Sequence, residues 1–417
     1  MTSAARPPAA VGPVPYRLAA DTIAHDEIEA AKAVLDSGRF TMGPRVRQFE
    51  EEFAAWVGAR EAVMVNSGSS ANLLMAEALT RGTRGPARLA PGDEVLVPAL
   101  AWPTTVWPIV QHGLVPVFVD IEPNTLGLSL ESARATIGPR TRAMFLIHPL
   151  GRALDMMAIE GFCRTFNLEL LEDSCESLGS FWSGRHVGTF GLAGSFSFYF
   201  SHHLSTIEGG MVVTEAPELA DDLRSFRAHG WVRDRSDRVS WAHDFPDIDS
   251  RFLFATTGYN VRPMELQGAI GSVQLRRLDT MLEARARLAR DVAGWLAQSA
   301  PWLELVGGDT ISSDPTLPRR TRSHSWMTLP LRLAEDAPVA RDTLMNHLEL
   351  QGVETRPVIA GNLARHPAAR RIPHRVAASL KESDAVLDRA LMIGCHPVLA
   401  PGARATLERA IASLAEL

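Results

Sequence analysis

Two adjacent histidines, His202 and His203, lie in the segment 197–210, after an aromatic-rich apolar run and before a Glu-Gly-Gly sequence. Imidazole is the side chain that changes protonation nearest to neutral pH, so a histidine in such a segment can accept and donate protons in a reaction. A loop histidine that forms only structural hydrogen bonds is the alternative. The two lysines of the chain, Lys32 and Lys381, lie far from this segment in the sequence.

Acidic side chains follow an apolar run at Leu171-Glu-Asp-Ser-Cys-Glu176. The strands of a parallel sheet present ligand-binding groups at their carboxyl ends. An aspartate at this place, here Asp173, can keep a pyridine nitrogen protonated, and the pyridine ring then accepts electrons. An aspartate that only caps the next turn is the alternative interpretation.

A glycine lies between a strand and a helix in the segment Asn66-Ser-Gly-Ser-Ser-Ala-Asn72. Glycine permits close approach of the backbone, and the free amides at the start of a helix can bind a phosphate. An ordinary strand-to-helix turn, with Ser69 or Ser70 as the N-cap, explains the same residues. The segment alone therefore leaves phosphate binding open.

Taken together and in this order, these motifs resemble those of the DegT/DnrJ/EryC1/StrS sugar aminotransferases, which use pyridoxal phosphate (PLP). The similarity extends from about residue 16 to the C-terminus. In that family a lysine stands at the position of His202 and binds the cofactor covalently, so the chain resembles the histidine-containing branch, the sugar 3-dehydratases. The resemblance implies an α/β fold of the PLP-dependent aminotransferase type (type I), with a large, mostly parallel-sheet domain, a smaller C-terminal α+β domain and a homodimeric assembly.

The resemblance also implies which residues bind the cofactor: Gly68, Ser69, Trp102, Asp173, Glu176, Ser197 and Asn260. Gly68, Ser69 and the Ser197 hydroxyl would hold the phosphate, with Asn260 contributing from the neighbouring subunit. Trp102 would stack on the pyridine ring, whereas core packing is the usual fate of a lone tryptophan. Glu176 stands where the aminotransferases usually have glutamine.

Four further residues match family segments near the substrate: His229, Arg262, Arg356 and Asn362. The guanidinium fork of arginine suits a diphosphate. A surface charge explains Arg262 equally well, and a surface ion pair explains Arg356. Arg152 departs from the family, because relatives usually have asparagine or glutamine after the glycine of Ile147-His-Pro-Leu-Gly-Arg152.

The implied reaction removes the C3 hydroxyl of a nucleotide-linked 4-keto-6-deoxyhexose and yields a 4-keto-3,6-dideoxy sugar. L-Glutamate would convert PLP to pyridoxamine 5'-phosphate, and His202 and Asp173 would be the catalytic residues. An iron–sulfur, reductase-dependent subtype normally uses four cysteines, whereas the chain has only Cys163, Cys175 and Cys395. A non-catalytic PLP-binding homologue is a further alternative, and the nucleotide (GDP, dTDP or CDP) stays open.

The composition and the apolar periodicity indicate the elements that must position these residues. A net charge of −6 does not favour nucleic acid or membrane binding, and the cysteine spacing indicates neither a metal site nor a disulfide framework. Because no apolar run could span a bilayer and residues 1–13 lack the apolar core of a signal peptide, we expect a cytoplasmic protein. Alternating short apolar runs and helical patterns predict a parallel sheet covered on both faces. The expected division is a flexible tail (1–15), a large PLP-binding domain (16–300) and a small C-terminal domain (301–417).

Overall fold

The computed structural model describes residues 15–83, 88–311 and 318–417. Its strands are β1 (Glu61–Val65), β2 (Glu94–Pro98), β3 (Val115–Val119), β4 (Thr141–Ile147), β5 (Glu169–Asp173), β6 (Phe181–Trp182), β7 (Arg185–His186), β8 (Ala193–Ser197), β9 (Gly210–Thr214), β10 (Leu303–Leu305), β11 (Thr328–Leu333), β12 (Thr355–Arg356), β13 (Arg375–Val376) and β14 (Ala390–Gly394). Its α-helices are α1 (His25–Ser37), α2 (Pro44–Val57), α3 (Gly68–Thr80), α4 (Pro103–Gln111), α5 (Leu130–Thr136), α6 (Met156–Phe166), α7 (Pro217–Phe226), α8 (Arg238–Asp244), α9 (Glu265–Ser299), α10 (Arg341–Leu350), α11 (Lys381–Arg389) and α12 (Ala403–Ala412).

The largest sheet has the strand order β1-β9-β8-β5-β4-β2-β3-β13. Its strands are parallel except β9, which pairs antiparallel with both β1 and β8. The prediction of a mostly parallel sheet is therefore confirmed. Because of this topology, the carboxyl ends of β1, β2, β4, β5 and β8 share one edge of the sheet, and the chain enters β9 at that same edge.

Apolar side chains are buried on both faces of this sheet, as expected for strands whose connections are helices. On β1, Val63 and Val65 belong to the core formed with α3, α4 and α7. Met64, which points to the opposite face, packs in the core formed with α2 and the first half of α9. The sheet is thereby held between two layers of helices, and the α/β fold class is confirmed.

A second, antiparallel sheet has the order β10-β11-β14-β12 and packs with the second half of α9, with α10 and with α12 around a core of its own. Helix α9 therefore contributes to two cores. Tyr16 belongs to this second core, where its hydroxyl donates to the Gly394 carbonyl at 2.7 Å. β13, although late in the chain, pairs with β3 of the large sheet. The proposed domain boundaries stay a prediction.

Across the described ranges 15–83, 88–311 and 318–417, none of the helices combines the length and the apolar character that crossing a bilayer requires.

Candidate functional site

The candidate site lies at the edge of the large sheet where the parallel strands end. Gly210, the first residue of β9, pairs with Val65 at the end of β1 and with Ser197 at the end of β8. The segment after β1 and the histidine-bearing loop after β8 therefore leave the sheet side by side. Asp173 ends β5, whose partner on one side is β8. The topology thus brings together motifs that are far apart in the sequence.

Asp173 is buried and is the last residue of β5. Its Oδ2 accepts hydrogen bonds from Asn72 Nδ2 at 2.8 Å and from Thr105 Oγ1 at 2.7 Å. Its Oδ1 accepts from the Cys175 amide at 3.1 Å. Asn72 is in turn held by Ser195, whose hydroxyl donates to Asn72 Oδ1 at 2.6 Å. These donors suit a carboxylate and fix its orientation.

Sequence reasoning missed three of these supporting residues. Asn72 ends the segment that was considered for phosphate binding, and Thr105 lies three residues after Trp102. Ser195 lies two residues before Ser197. Their side chains converge on Asp173 from α3, α4 and β8. No local pattern in the sequence marks such a convergence, because the three residues are brought to one place only by the packing of helices on the sheet.

Helix α3 begins at Gly68, and its N-cap is Ser67, whose hydroxyl accepts from the Ser70 amide at 3.1 Å. The expectation of Ser69 or Ser70 as the N-cap was wrong. Ser69 is exposed at the first turn. A Cβ on Gly68 would lie 2.6 Å from Ser197 Cβ and 2.9 Å from Cys175 Sγ. A glycine is therefore needed for this helix start to pack against the ends of β5 and β8.

The loop with Asn260 also reaches the end of β1, because the Asn66 amide donates to the Val261 carbonyl at 3.0 Å. Asn260 itself is exposed, and its Oδ1 accepts from Arg262 Nε at 3.0 Å. His229 is exposed as well and has a positive φ of 63°. Its amide donates to the Tyr259 carbonyl at 2.7 Å. His229 and Asn260 therefore lie on two hydrogen-bonded loop segments, next to the start of α3.

His202 lies in the loop between β8 and β9, and its ring faces the Tyr199 ring edge-on at a centroid distance of 6.0 Å. Its Nδ1 is buried and has no hydrogen-bond partner among the residues that the structure describes. Burial, with a smaller contribution from the positive charge of Arg285, lowers the pKa of His202 to about 4. The imidazole is therefore neutral at physiological pH and can accept a proton.

His203 differs from its neighbour. It is buried, its Nε2 contacts the Ser325 carbonyl at 3.2 Å, and burial lowers its pKa well below the ordinary value. This is the environment of a histidine that holds two chain segments together.

Trp102 and Glu176 also lie at this edge of the sheet. Trp102 is the N-cap residue of α4 and is 55% exposed, so it is not a core residue. Glu176 Oε2 accepts from the amide of Leu150, in the turn that follows β4, at 2.9 Å. Burial, and to a smaller extent the negative charge of Asp173, raise the pKa of Glu176 to about 7. An exposed indole thus lies on the helix that also carries Thr105, the partner of Asp173.

The C-terminal candidates occupy two different environments. Asn362 is fully buried, its Nδ2 donates to Asp384 at 2.7 Å, and its Oδ1 accepts from the Ala364 amide at 3.1 Å. The same segment pairs with Leu100, close to Trp102. Arg356 is exposed and forms an ion pair with Glu354 at 2.6 Å. Asn362 therefore supports the loop that carries Trp102, and Arg356 adopts the surface ion pair considered above.

Arg152 forms a bidentate ion pair with Asp309, with both N–O distances at 2.8 Å. Its backbone forms an isolated bridge with His324. The residue that departs from the family thus connects the loop after β4 to the segment after β10.

The lysines and the cysteines are dispersed. Lys32 is exposed on α1 and pairs with Glu29 at 2.7 Å, and Lys381 is exposed at the start of α11. Cys163 and Cys395 are buried in two different cores, whereas Cys175 lies beside Asp173. Within the described ranges, no group of three or more metal-ligating side chains converges.

Several known proteins resemble this chain in sequence and in fold. The model of the DegT/DnrJ/EryC1/StrS aminotransferase family matches residues 21–412. The chain is 36% identical to a GDP-4-keto-6-deoxy-D-mannose 3-dehydratase of Yersinia pseudotuberculosis, over 92% of this chain and 94% of that protein. It is 38% identical to a dTDP-4-dehydro-2,6-dideoxy-D-glucose 3-dehydratase of Saccharopolyspora spinosa, over 89% and 80%. A crystal structure of GDP-4-keto-6-deoxymannose-3-dehydratase with a trapped PLP–glutamate geminal diamine superposes with a TM-score of 0.84 at 33% identity, over 95% of this chain and all of that one.

Proposed function

The chain belongs to the DegT/DnrJ/EryC1/StrS aminotransferase family, and we propose that it is a PLP-dependent 3-dehydratase of a nucleotide-linked 4-keto-6-deoxyhexose. The substrate loses its C3 hydroxyl and becomes a 4-keto-3,6-dideoxy sugar, with L-glutamate as the amino donor. The single observation that carries the proposal is His202, a neutral imidazole with a free buried nitrogen, in the place of the family's lysine.

The described residues fit PLP. The start of α3 packs so closely on Ser197 that a Cβ at position 68 would clash with it, and amides at a helix start can bind an anion. Asp173 has its carboxylate oriented by Asn72 and Thr105 at the same edge. PLP, when bound, supplies an acceptor for electrons and, in its pyridoxamine form, an amine for the 4-keto carbon.

We assign the roles of the chain's own residues as follows. Gly68, Ser69 and Ser197 hold the phosphate, and Asp173 forms an ion pair with the protonated pyridine nitrogen. Trp102 covers one face of the ring, and Glu176, with its raised pKa, donates or accepts a hydrogen bond at the ring's edge. His202 is the base that removes a proton from the C4′ carbon, because its neutral form dominates near pH 7.

The absence of a lysine from this loop determines the outcome of the reaction. A lysine amine would compete for the cofactor's carbonyl carbon and return the protein to the covalently bound state of an aminotransferase. An imidazole moves protons and forms no such bond. Because His202 stands in the place of the lysine, the site retains acid–base chemistry, and the C3 hydroxyl can leave without transfer of the amino group to the sugar.

We further propose that the protein is a homodimer in which Asn260, and Arg262 beside it, complete the neighbouring subunit's site. Both lie in an exposed loop next to the start of α3. His229 is proposed as a nucleotide-sugar contact, and Arg356 as a second one that would exchange its surface ion pair with Glu354 for a pair with the diphosphate. The buried Asn362 is proposed as a support of the Trp102 loop. Light scattering tests the assembly. Mixing inactive His202→Asn and Asn260→Ala subunits should restore one working site per mixed dimer; no recovery would contradict the sharing of sites.

Mass spectrometry of products tests the activity. The protein, loaded with PLP, is incubated with L-glutamate and, separately, with GDP-, dTDP- and CDP-linked 4-keto-6-deoxyhexoses. We expect a 4-keto-3,6-dideoxy sugar and 2-oxoglutarate from at least one of them. Formation of a 4-amino sugar instead would indicate an aminotransferase, and a cofactor that binds without any turnover would indicate the non-catalytic alternative.

A further inference from the structure

Arg285, on α9, is a buried cation beside the loop that carries His202. It is 3% exposed. Among the described residues no carboxylate forms an ion pair with it, whereas the other deeply buried arginines, such as Arg227 and Arg235, have acidic partners. Burying a guanidinium without a counter-ion is unfavourable, so a position of this kind needs an explanation.

Backbone carbonyl groups take the place of the missing carboxylate. Nη1 of Arg285 donates to the Trp326 carbonyl at 3.2 Å, to the Met327 carbonyl at 3.0 Å and to the Cys395 carbonyl. Nη2 donates to the His202 carbonyl at 3.3 Å. Nε has no partner within the described part of the chain. The carbonyl dipoles solvate the cation but do not neutralise it, and arginine does not lose its proton in proteins.

We propose that Arg285 is a positioning residue for His202, which fixes the loop through its hydrogen bond to the His202 carbonyl and places a permanent positive charge beside this residue. The inference rests on the proposed function, because it concerns the base of that reaction. The bond to the carbonyl acts on the placement of the ring, and the charge acts on its protonation. The bond keeps the ring in its place, and the charge keeps the imidazole neutral down to a lower pH.

The other groups around His202 do not duplicate this effect. Tyr199 and His203 face it from its own loop, and His324 lies near His203 on the segment before β11. His203 and His324 also have lowered pKa values, mainly through burial, so they add little positive charge near pH 7. Among the residues that the structure describes, Arg285 is therefore the permanent cation that acts on His202.

A purely structural role is the competing explanation, since Arg285 also connects α9 to the segments at Trp326 and Cys395. The two explanations differ in one observable. A structural arginine changes stability and the rate at all pH values, whereas an electrostatic one also moves the protonation midpoint of His202.

The test is an NMR titration of cofactor-free protein labelled with 13C at the histidine Cε1, with His202→Asn identifying the resonance. We expect Arg285→Gln to raise the His202 midpoint by about 1 pH unit, because a like charge has been removed. Arg285→Lys, which retains the charge, should change it much less. Arg235→Gln is the matched control, because Arg235 is a buried arginine in a different cluster, with Asp222 and Asp237. In this variant the protonation midpoint of His202 should equal that of the wild type.

Enzyme assays give the second readout. In Arg285→Gln the acid limb of the pH–rate profile should move upward by the same amount, with kcat reduced and KM nearly unchanged. An unmoved His202 midpoint in folded Arg285→Gln, or in Arg285→Met if the glutamine variant does not fold, would overturn the inference. If neither neutral variant folds, Arg285→Lys decides: a wild-type kcat there would refute positioning through the carbonyl.

The two proposals fail in different ways. A shifted midpoint with no dehydrated product from the wild type would refute only the proposed function. Normal dehydration by the wild type with no shift would refute only the role of Arg285.

Discussion

Replacement of His202 by asparagine is the most direct test of the site. The side chain can be changed with little structural cost, because the buried Nδ1 has no partner to be left unpaired among the described residues. The hydrogen bonds of this residue run through its backbone, to the Tyr199 carbonyl at 2.9 Å and from Arg285 at 3.3 Å. The main loss is the edge-on contact with the Tyr199 ring, worth about 0.5–1.5 kcal/mol.

The expected loss of rate is larger than this structural cost. Removal of a general base typically lowers the rate about 10²–10⁴-fold, which corresponds to roughly 3–5 kcal/mol in the activation barrier. We therefore expect His202→Asn to fold and to bind PLP, and to form the 4-keto-3,6-dideoxy sugar at least about 100-fold more slowly. The assay is product formed per glutamate consumed, at saturating cofactor, with thermal unfolding measured in parallel.

Two further variants sharpen the test. His203→Asn removes a ring of the same type one residue away and should lower stability, through the lost contact with the Ser325 carbonyl, more than it lowers the rate. His202→Lys should bind the cofactor covalently and favour amino transfer over dehydration. If His202→Asn turned over as fast as the wild type, the assignment of the base would be wrong, whatever the other variants did.

Four other predictions follow from the same structure. Borohydride treatment of the PLP-loaded protein should leave the mass of the denatured chain unchanged, and a reduced cofactor on Lys32 or Lys381 would contradict the non-covalent site. Anaerobically purified protein should contain no stoichiometric iron or sulfide; finding both would revive the reductase-dependent subtype. Lowering the pH from 7 to 5 should reduce the free energy of unfolding by at least about 3 kcal/mol, as measured by urea titration. Burial lowers the pKa values of His186 (to about 3), of His202 and His396 (both to about 4), and of His203 and His324, so the unfolded chain binds more protons below pH 6.5. The raised pKa of Glu176 acts in the opposite direction but is outnumbered. Gly68→Ala should weaken PLP binding and cost about 1–3 kcal/mol of stability, because its Cβ would meet Ser197 at 2.6 Å. Gly294→Ala, whose Cβ would meet nothing within 4 Å on α9, should be neutral or stabilising, and equal effects of the two alanines would refute the packing argument.

The sequence by itself determined the fold class and the order of the motifs along the chain. Strand–helix alternation specifies a parallel sheet, and the carboxyl ends of parallel strands share one edge. The resemblance of the motifs to those of a known family assigned Asp173, Gly68 and His202 to one site before any coordinates were known. The number and the spacing of the lysines and cysteines can likewise be read from the sequence without a structure.

Only the tertiary structure decided which partners these residues have. Asn72 and Thr105 bond to Asp173 from two helices, and Arg285 reaches His202 across 83 residues of sequence. Local patterns carry no information about such pairs, because a hydrogen bond depends on the folded distance between atoms that chain spacing does not restrict. For the same reason the sequence left Trp102 open between core and surface. Packing of α4 against the sheet leaves its indole exposed at the strand ends, where an aromatic ligand can reach it.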